Sequence, residues 1–586
     1  MSAPPRAARR RPAALDAPLV AVLSKRGRFV AAEPLFERGR RVSLDSAAAR
    51  GAGVGDLVLL GHGKRGARVA RRIGRPDVAR DVLEGLMLDR GLRRAFPRAV
   101  EAEADDAAES PPAPPGARRD LTDLATFTID PVTARDYDDA ISARREDGGR
   151  VRVWVHIADV SAYVRPGTAL DREAYRRGTS TYVPGAVEPM LPHALSSGAC
   201  SLVTGVDRLA VTVELEMDGA DVGSVRFHRS TVRSDARLSY PQVDRVFAGD
   251  ERAEEPWGEP LALAREVAAA LRARREARGS LAVQSSEPSF DFDSAGHVVG
   301  VRHEEQTESH TVIEELMILA NEQVAAYLAD RRAPTLYRVH ERPDPSAVER
   351  LAAQLESLDV PTPPLPERMS PQQAGDAAGE ISRHVVRHVE RTGRGRFAFG
   401  SLVLRAMKQA WYTPRNVGHA GLASPRYLHF TSPIRRYPDL VAHRALLASL
   451  GLDDVAPVAA ELGEAGEQCS ASERAAMQVE RDADDVCLCF LLERRLADAG
   501  WELELDGEVV GVIPHGLFVR FGEEGFEGFL PVRRMRGDWW EPNEHETALV
   551  GSDSGRAIRL GDPIRVAVGR VDAPRGRADL ELAPAG

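Results

Sequence analysis

The sequence predicts a multidomain α+β protein, a mixed α/β central block flanked by two small β-barrels of OB type. Three observations carry this. The 586 residues are too many for one hydrophobic core, so roughly three to five domains are expected. Short runs alternating apolar and polar residues, separated by Gly-containing turns, occupy both ends of the chain. Between them, strand-like and helical patterns mix. The longest amphipathic helix is expected from about Thr311 to Asp330, with Ile313, Leu316, Met317, Ala320, Val324 and Leu328 at helical spacing.

Each element follows in chain order. Residues 1–17 (MSAPPRAARRRPAALDA) read as a flexible basic tail. Residues 18–80 hold the runs VAVL, GRFVA, RRVSL, DLVLL and ARVARRI, expected to form the first barrel. There Phe29, near Arg26 and Arg28, suits either a stacking surface for a single strand or the core. Residues 81–118 read as a helix (ARDVLEGLMLDRGL) and then an acidic, Pro-rich linker, EAEADDAAESPPAPPGARR. The mixed block spans 119–450 and is interrupted by the loop PTPPLPERMSP. A helical connector fills 451–500. From 501 to 583 alternation returns in EVVGVIPHGLFVRF, EGFLPV and IRVAVGRV, the second barrel.

Composition bounds the function. The net charge is −10, yet residues 1–100 carry 22 Lys or Arg against nine Asp or Glu, leaving −23 for the remainder. A basic end on an acidic body supplies local phosphate contacts whatever the total charge. No apolar run approaches the roughly twenty residues that span a bilayer. The N-terminus lacks the apolar core of a signal peptide, so a cytoplasmic protein is expected. Cys200, Cys469, Cys487 and Cys489 form no CxxC pair, so neither zinc nor a disulfide framework is expected.

The most informative stretch is Thr128–Ser142, TIDPVTARDYDDAIS. It gathers Asp130, Asp136, Asp138 and Asp139 within ten residues. Like charges this close repel, and a cation relieves the repulsion. Aspartate oxygens are hard ligands suited to Mg²⁺ or Mn²⁺ rather than zinc, and the calcium-loop pattern is not matched. The bland alternative is a solvated acidic turn. The cluster follows one strand-like run and precedes another, placing it on a loop at a sheet edge, where catalytic groups gather.

Far downstream, LHFTSPIRRYPDL sets Arg435 and Arg436 among rigid turns. Arginine's planar fork grips phosphate oxygens in a bidentate manner. An Arg–Arg pair alone is weak, but beside a carboxylate metal site it points to phosphodiester hydrolysis.

TIDPVTARDYDDAIS, VWVHIADVSAYV, RGTSTYVPGAVEPMLP, SHTVIEELMILAN, LYRVHERPD and HFTSPIRRYPDLVAHR stand in the order seen in RNB exoribonucleases, the ribonuclease II and ribonuclease R family. The chain resembles that family across 119–450, into SERAAMQVERDADD and the final barrel. RGTSTYVP and PIRRYPDL sit closer to the ribonuclease R branch. The resemblance implies an RNB catalytic domain, a cold-shock-like first barrel and an S1-type last barrel. It implies processive 3′→5′ hydrolysis of single-stranded RNA to nucleoside 5′-monophosphates by a monomer using Mg²⁺, or Mn²⁺. Asp130, Asp136, Asp138 and Asp139 match the metal positions, Asp138 being the most critical. Arg435 matches the arginine at the scissile phosphate, with Arg436 beside it. Tyr182 matches the aromatic stacked on the 3′-terminal base, Glu315 a ribose contact and Tyr240 a channel residue, while Phe518 is expected to touch RNA from the last barrel. His156, His310, His340 and His443 are expected to be structural.

The sequence departs from the family at Val283, where a clamping Phe is usual, and at Ala420, where a bulky aromatic is. One N-terminal barrel is visible where two are typical. The rivals to a processive nuclease are an inactive RNA-binding regulator on the same fold and a phosphodiesterase for short oligonucleotides.

Overall fold

The computed structural model describes residues 18–583 except 28, 37–38, 46, 64–65, 112–117, 282–285, 453–454 and 536. The basic tail, Arg28, the Phe29 side chain, part of the linker and Val283 therefore lie outside the described residues.

Alternation in the first hundred residues becomes five antiparallel strands, Leu19–Arg26, Phe29–Pro34, Val42–Leu44, Leu57–Gly63 and Gly66–Gly74, in the order three-two-one-four-five. The two edges of this sheet curl toward each other, since the Val69 N–H donates to the Ala48 carbonyl at 2.8 Å. One face encloses Ala21, Leu23, Ala32, Leu44, Val58 and Leu60. The helix Ala79–Asp89 follows as expected. The acidic half of the expected linker is instead a second helix, Arg98–Glu109. Val100, Ala104 and Ala107 recur at three- and four-residue spacing and are buried, so helix formation removes apolar surface that a linker leaves wet. Glu103 Oε2 also accepts the Ala169 and Leu170 amides, at 3.0 and 3.3 Å, at the start of helix Ala169–Arg177.

The centre is a mixed seven-stranded sheet, ordered Ala236–Ser239, Phe127–Asp130, Asp139–Arg145, Val151–Ala158, Asp207–Asp218, Asp221–Arg233, Arg119–Asp120. Val151, Val153, Val155 and Ile157 point to one face, packed against helices Gly258–Ala277 and Glu308–Arg331. The second of these is the predicted long helix, opened by a Thr307–His310 capping box. The opposite face carries Trp154 and Ala158. It also carries a buried polar row in which Ser142 meets His156 Nε2 at 3.0 Å and His156 Nδ1 meets Thr212 at 2.9 Å. Burial holds His156 down at about 3, a neutral structural histidine.

Three helices, Pro345–Glu356, Pro371–Thr392 and Ala398–Ala406, form a side lobe with its own core. The helical connector is largely one 38-residue helix, Leu462–Ala499. The last domain is a closed five-stranded barrel (Glu504–Ile513, Gly516–Phe521, Phe526–Pro531, Pro563–Asp572, Arg577–Leu582) with a small three-stranded sheet inserted before its fourth strand. Among the described residues, no helix is long and apolar enough to cross a membrane. The four cysteines are free and buried.

Candidate active site

The acidic loop joins two neighbouring strands of the central sheet, which pair at Phe127 and Ile141. Asp130 therefore ends one strand as Asp139 begins the next, and the turn folds their carboxylates toward each other. Burial, then the Asp139 carboxylate, pushes Asp130 up to about 8. Burial pushes Asp139 up to about 6 against the pull of Arg435 and Arg436. The loop is pinned from the next strand by Arg237, which donates to the Val132 carbonyl at 2.6 Å and lies 5.3 Å from the Tyr137 ring.

Asp138 is 4% exposed. Its Oδ1 accepts the Ile434 N–H at 2.9 Å, and its Oδ2 lies 3.8 Å from Arg435 Nε. The two distant motifs thus meet in one pocket. Burial raises the Asp138 carboxyl well above its ordinary range, with Arg435 opposing. The Arg435 side chain stays 45% exposed, while its carbonyl is fixed by Ser180 N–H at 2.9 Å and the Thr179 hydroxyl at 3.1 Å. This stitch follows the C-cap Gly178 (φ 70°), whose carbonyl accepts the Tyr437 N–H at 3.0 Å. A Cβ at Gly178 would stand 2.7 Å from Ser472, so both conformation and space call for glycine.

The same stitch delivers Tyr182, on strand Thr181–Val183. Tyr182 is 38% exposed. Its hydroxyl donates to Asp136 Oδ2 at 3.0 Å, and its amide donates to Glu480 Oε1 at 2.8 Å. Tyr240 starts helix Tyr240–Ala248 and stacks on His310 at 3.7 Å and 12°. Burial raises its hydroxyl, as do the Asp139 and Asp130 charges.

Two expected contacts are placed differently. Arg436 is no second phosphate fork: Nε and one terminal nitrogen grip Asp439 at 2.9 and 2.7 Å, and Asp439 Oδ1 also takes the Ser432 N–H at 2.8 Å. The pair braces the loop that presents Arg435, because a buried carboxylate needs a charged partner. Glu315 is 2% exposed, and its Oε1 accepts from Arg275 at 2.8 and 2.5 Å, so that oxygen is committed within the helix pair. Phe518 belongs to the outer face of the last barrel, 38% exposed and 5.2 Å from Phe529. Ala420 opens a short turn, its N–H on the His340 carbonyl at 2.8 Å. His443 Nε2 meets the Phe430 carbonyl at 2.9 Å. Glu480, Asp439 and Arg237 were not singled out by sequence reasoning. Of these Glu480 had a signal in the SERAAMQVERDADD motif and Asp439 in HFTSPIRRYPDLVAHR, while Arg237 had none.

The donor set suits a hard divalent cation. All four side chains offer oxygen, and Asp130 Oδ2 is buried with no hydrogen-bond partner. Among the described residues, no three His, Cys, Asp or Glu side chains converge closely enough to hold an ion as they stand. Asp136 is turned to the Tyr182 hydroxyl and Asp138 to the Ile434 amide. The quartet read from the sequence is one pocket but not a closed cage.

A mixed sheet between OB barrels, with an acidic pocket topped by a half-exposed arginine, defines a protein built for phosphodiester chemistry on nucleic acid. The chain belongs to the RNB family: residues 118–451 match the RNB domain and residues 503–583 the S1 RNA binding domain. It is 33% identical over 555 residues to Ribonuclease R of Escherichia coli (strain K12), covering 91% of this chain and 66% of that protein. It is 35% identical over 526 residues to Ribonuclease R of Aquifex aeolicus (strain VF5), covering 88% and 72%. The chain thus spans about two thirds of the length of these curated relatives. The apo form of Mycoplasma genitalium RNase R has the same fold, with a TM-score of 0.85 at 24% identity, over 97% of this chain and 90% of that one. The form of that protein in complex with ribose methylated single-stranded RNA gives 0.84 at 23% identity over the same shares. RNB-family nucleases are metal-dependent hydrolases.

Proposed function

We propose that this chain is a processive 3′→5′ exoribonuclease that hydrolyses single-stranded RNA to nucleoside 5′-monophosphates with Mg²⁺, Mn²⁺ serving in its place. The observation that carries the reading is the meeting of Asp138 with the Ile434 amide and Arg435 beside the Tyr182–Asp136 pair. Asp130, Asp136, Asp138 and Asp139 are the residues that would hold the metal. When bound, divalent ions supply an activated water and neutralise charge on an in-line displacement. Arg435, half exposed beside Asp138 and with one terminal nitrogen on Ser432 Oγ at 3.3 Å, takes the scissile phosphate and stabilises the charge that develops there. The water oxygen bonds to phosphorus as the P–O3′ bond breaks, leaving a 5′-monophosphate and a new 3′-hydroxyl. The exposed Tyr182 ring stacks on the terminal base, a contact worth about 1–3 kcal/mol and indifferent to sequence. Choice of RNA over DNA rests on the 2′-hydroxyls near the 3′ end.

The Mycoplasma protein was captured with single-stranded RNA, and that ligand class fits the S1 barrel and its exposed Phe518 here. The complete quartet together with Arg435 favours catalysis over RNA binding alone. The test is 5′-labelled single-stranded RNA incubated with Mg²⁺ and either the native protein or Asp138→Asn. The native protein should give mononucleotides and a short end product, while the variant binds without cutting. Binding without cleavage by both would refute the enzyme, and internal cuts appearing first would make it an endonuclease.

A further inference from the structure

Between Asp136 and Asp138 the loop is held by one buried hydroxyl. Ser201 is 0% exposed. Its Oγ accepts the Tyr137 N–H at 2.9 Å and donates to the Arg135 carbonyl at 3.1 Å. These groups belong to the two peptide units that flank Asp136, so a single oxygen fixes that residue's φ and ψ. The next residue continues the grip, the Leu202 N–H donating to the Tyr137 carbonyl at 3.0 Å. Asp136 therefore leaves the backbone in a set direction, toward the Tyr182 hydroxyl, and the step from Asp136 to Asp138 is fixed.

Ser201 is itself anchored. It follows the π-helical segment Ala194–Ala199, closed by Cys200 N–H on the Leu195 carbonyl at 3.0 Å. Its own carbonyl accepts from Val203 N–H at 2.8 Å and Arg208 Nε at 2.9 Å. Its neighbours Leu195, Cys200 and Leu202 are fully buried and apolar. A hydroxyl in such surroundings is costly unless both its hydrogen bonds are made, and both go to the carboxylate loop. π-Helical turns are rare and frequently stand at functional sites.

We propose that Ser201 is a positioning residue for the metal carboxylates, acting through the Arg135–Tyr137 backbone to set the spacing of Asp136 and Asp138. The proposal rests on the nuclease reading above. Outer-shell partners that orient ligands typically change metal affinity by about 10–100-fold when lost.

The test measures Mn²⁺ binding directly, by the EPR signal of free Mn²⁺ in titrations without RNA, alongside steady-state kinetics on single-stranded RNA. Ser201→Ala should weaken Mn²⁺ binding by about tenfold or more and lower kcat, with KM for RNA within about twofold of native. Ser201→Cys, nearly the same size with a weak donor, should show the same defect and serves if the alanine variant fails to fold. Ser201→Thr keeps the hydroxyl and should recover most of the affinity. Native-like Mn²⁺ affinity in a folded Ser201→Ala or Ser201→Cys overturns the positioning role. Failure of the native protein itself to bind Mn²⁺ overturns the nuclease reading and this proposal with it.

Discussion

At the residue scale, Arg435 and Arg436 are neighbours of one residue type with opposite assignments. Arg436 is spent on Asp439 inside the loop, whereas Arg435 keeps a half-exposed guanidinium. Arg435→Lys should therefore lower kcat by about 10²–10³ with little change in RNA affinity, because a lysine loses the fork that meets developing phosphate charge. Single-turnover rates on saturating RNA check this, and an unchanged rate would remove Arg435 from the chemistry. Tyr182 does two things that substitution separates. Tyr182→Phe keeps the stacking ring and frees Asp136, so the end-product length should hold while the Mg²⁺ requirement shifts. Tyr182→Ala should alter the end product itself, read on a sequencing gel.

The Asp130 carboxyl gives a pH dependence with a definite sign. Its folded value, about 8, lies above its ordinary value of 3.8, so the protonated form favours the fold. That contribution is complete below 3.8 and is lost as pH rises through about 8. Metal-free protein should thus lose thermal stability between pH 6 and pH 8.5, and Asp130→Asn should flatten the dependence. Saturating Mg²⁺ should raise the melting temperature more at pH 8.5 than at pH 6, since it binds the ionised carboxylates of the folded chain. Equal gains at both pH values would speak against Asp130 as a ligand.

At the scale of elements, the sequence was legible where one periodicity ran long enough. The helix expected from Thr311 to Asp330 is found at Glu308–Arg331, and both terminal domains form sheets from their alternating runs. The acidic stretch Arg98–Glu109 was misread because charge and nearby prolines hid three buried apolar positions at helical spacing. The site was legible as residue types in motifs, and less so as contacts. That Glu315 points into Arg275, and that Arg436 turns to Asp439, depends on helix rotation and loop course, which short motifs do not encode. Ser201, some 65 residues from the loop it holds, gave no local signal at all. On the helix Glu308–Arg331, Leu316 is fully buried in the core shared with the central sheet. Leu316→Ala should cost about 2–5 kcal/mol in denaturant unfolding, and a loss under 1 kcal/mol would mean that the helix packs elsewhere.

At the scale of the molecule, the helix Leu462–Ala499 joins the parts. Along its length it offers Val479, Ala483, Val486, Leu492 and Leu496 to one core that also takes in Val20, Leu57 and Leu83 from the first domain and Val509, Leu517 and Leu580 from the last barrel. The same helix supplies Glu480 to the Tyr182 amide. Both terminal domains thus share a core with the helix that also reaches the pocket. The direction of degradation is read most plainly in a rapid-quench time course on single-stranded RNA labelled at its 3′ end, with Mg²⁺. The label should leave as a mononucleotide from the first turnover, before any shorter labelled chain appears. Labelled oligonucleotide fragments appearing first, or a label that stays on RNA the protein has bound, would contradict 3′→5′ exonuclease action.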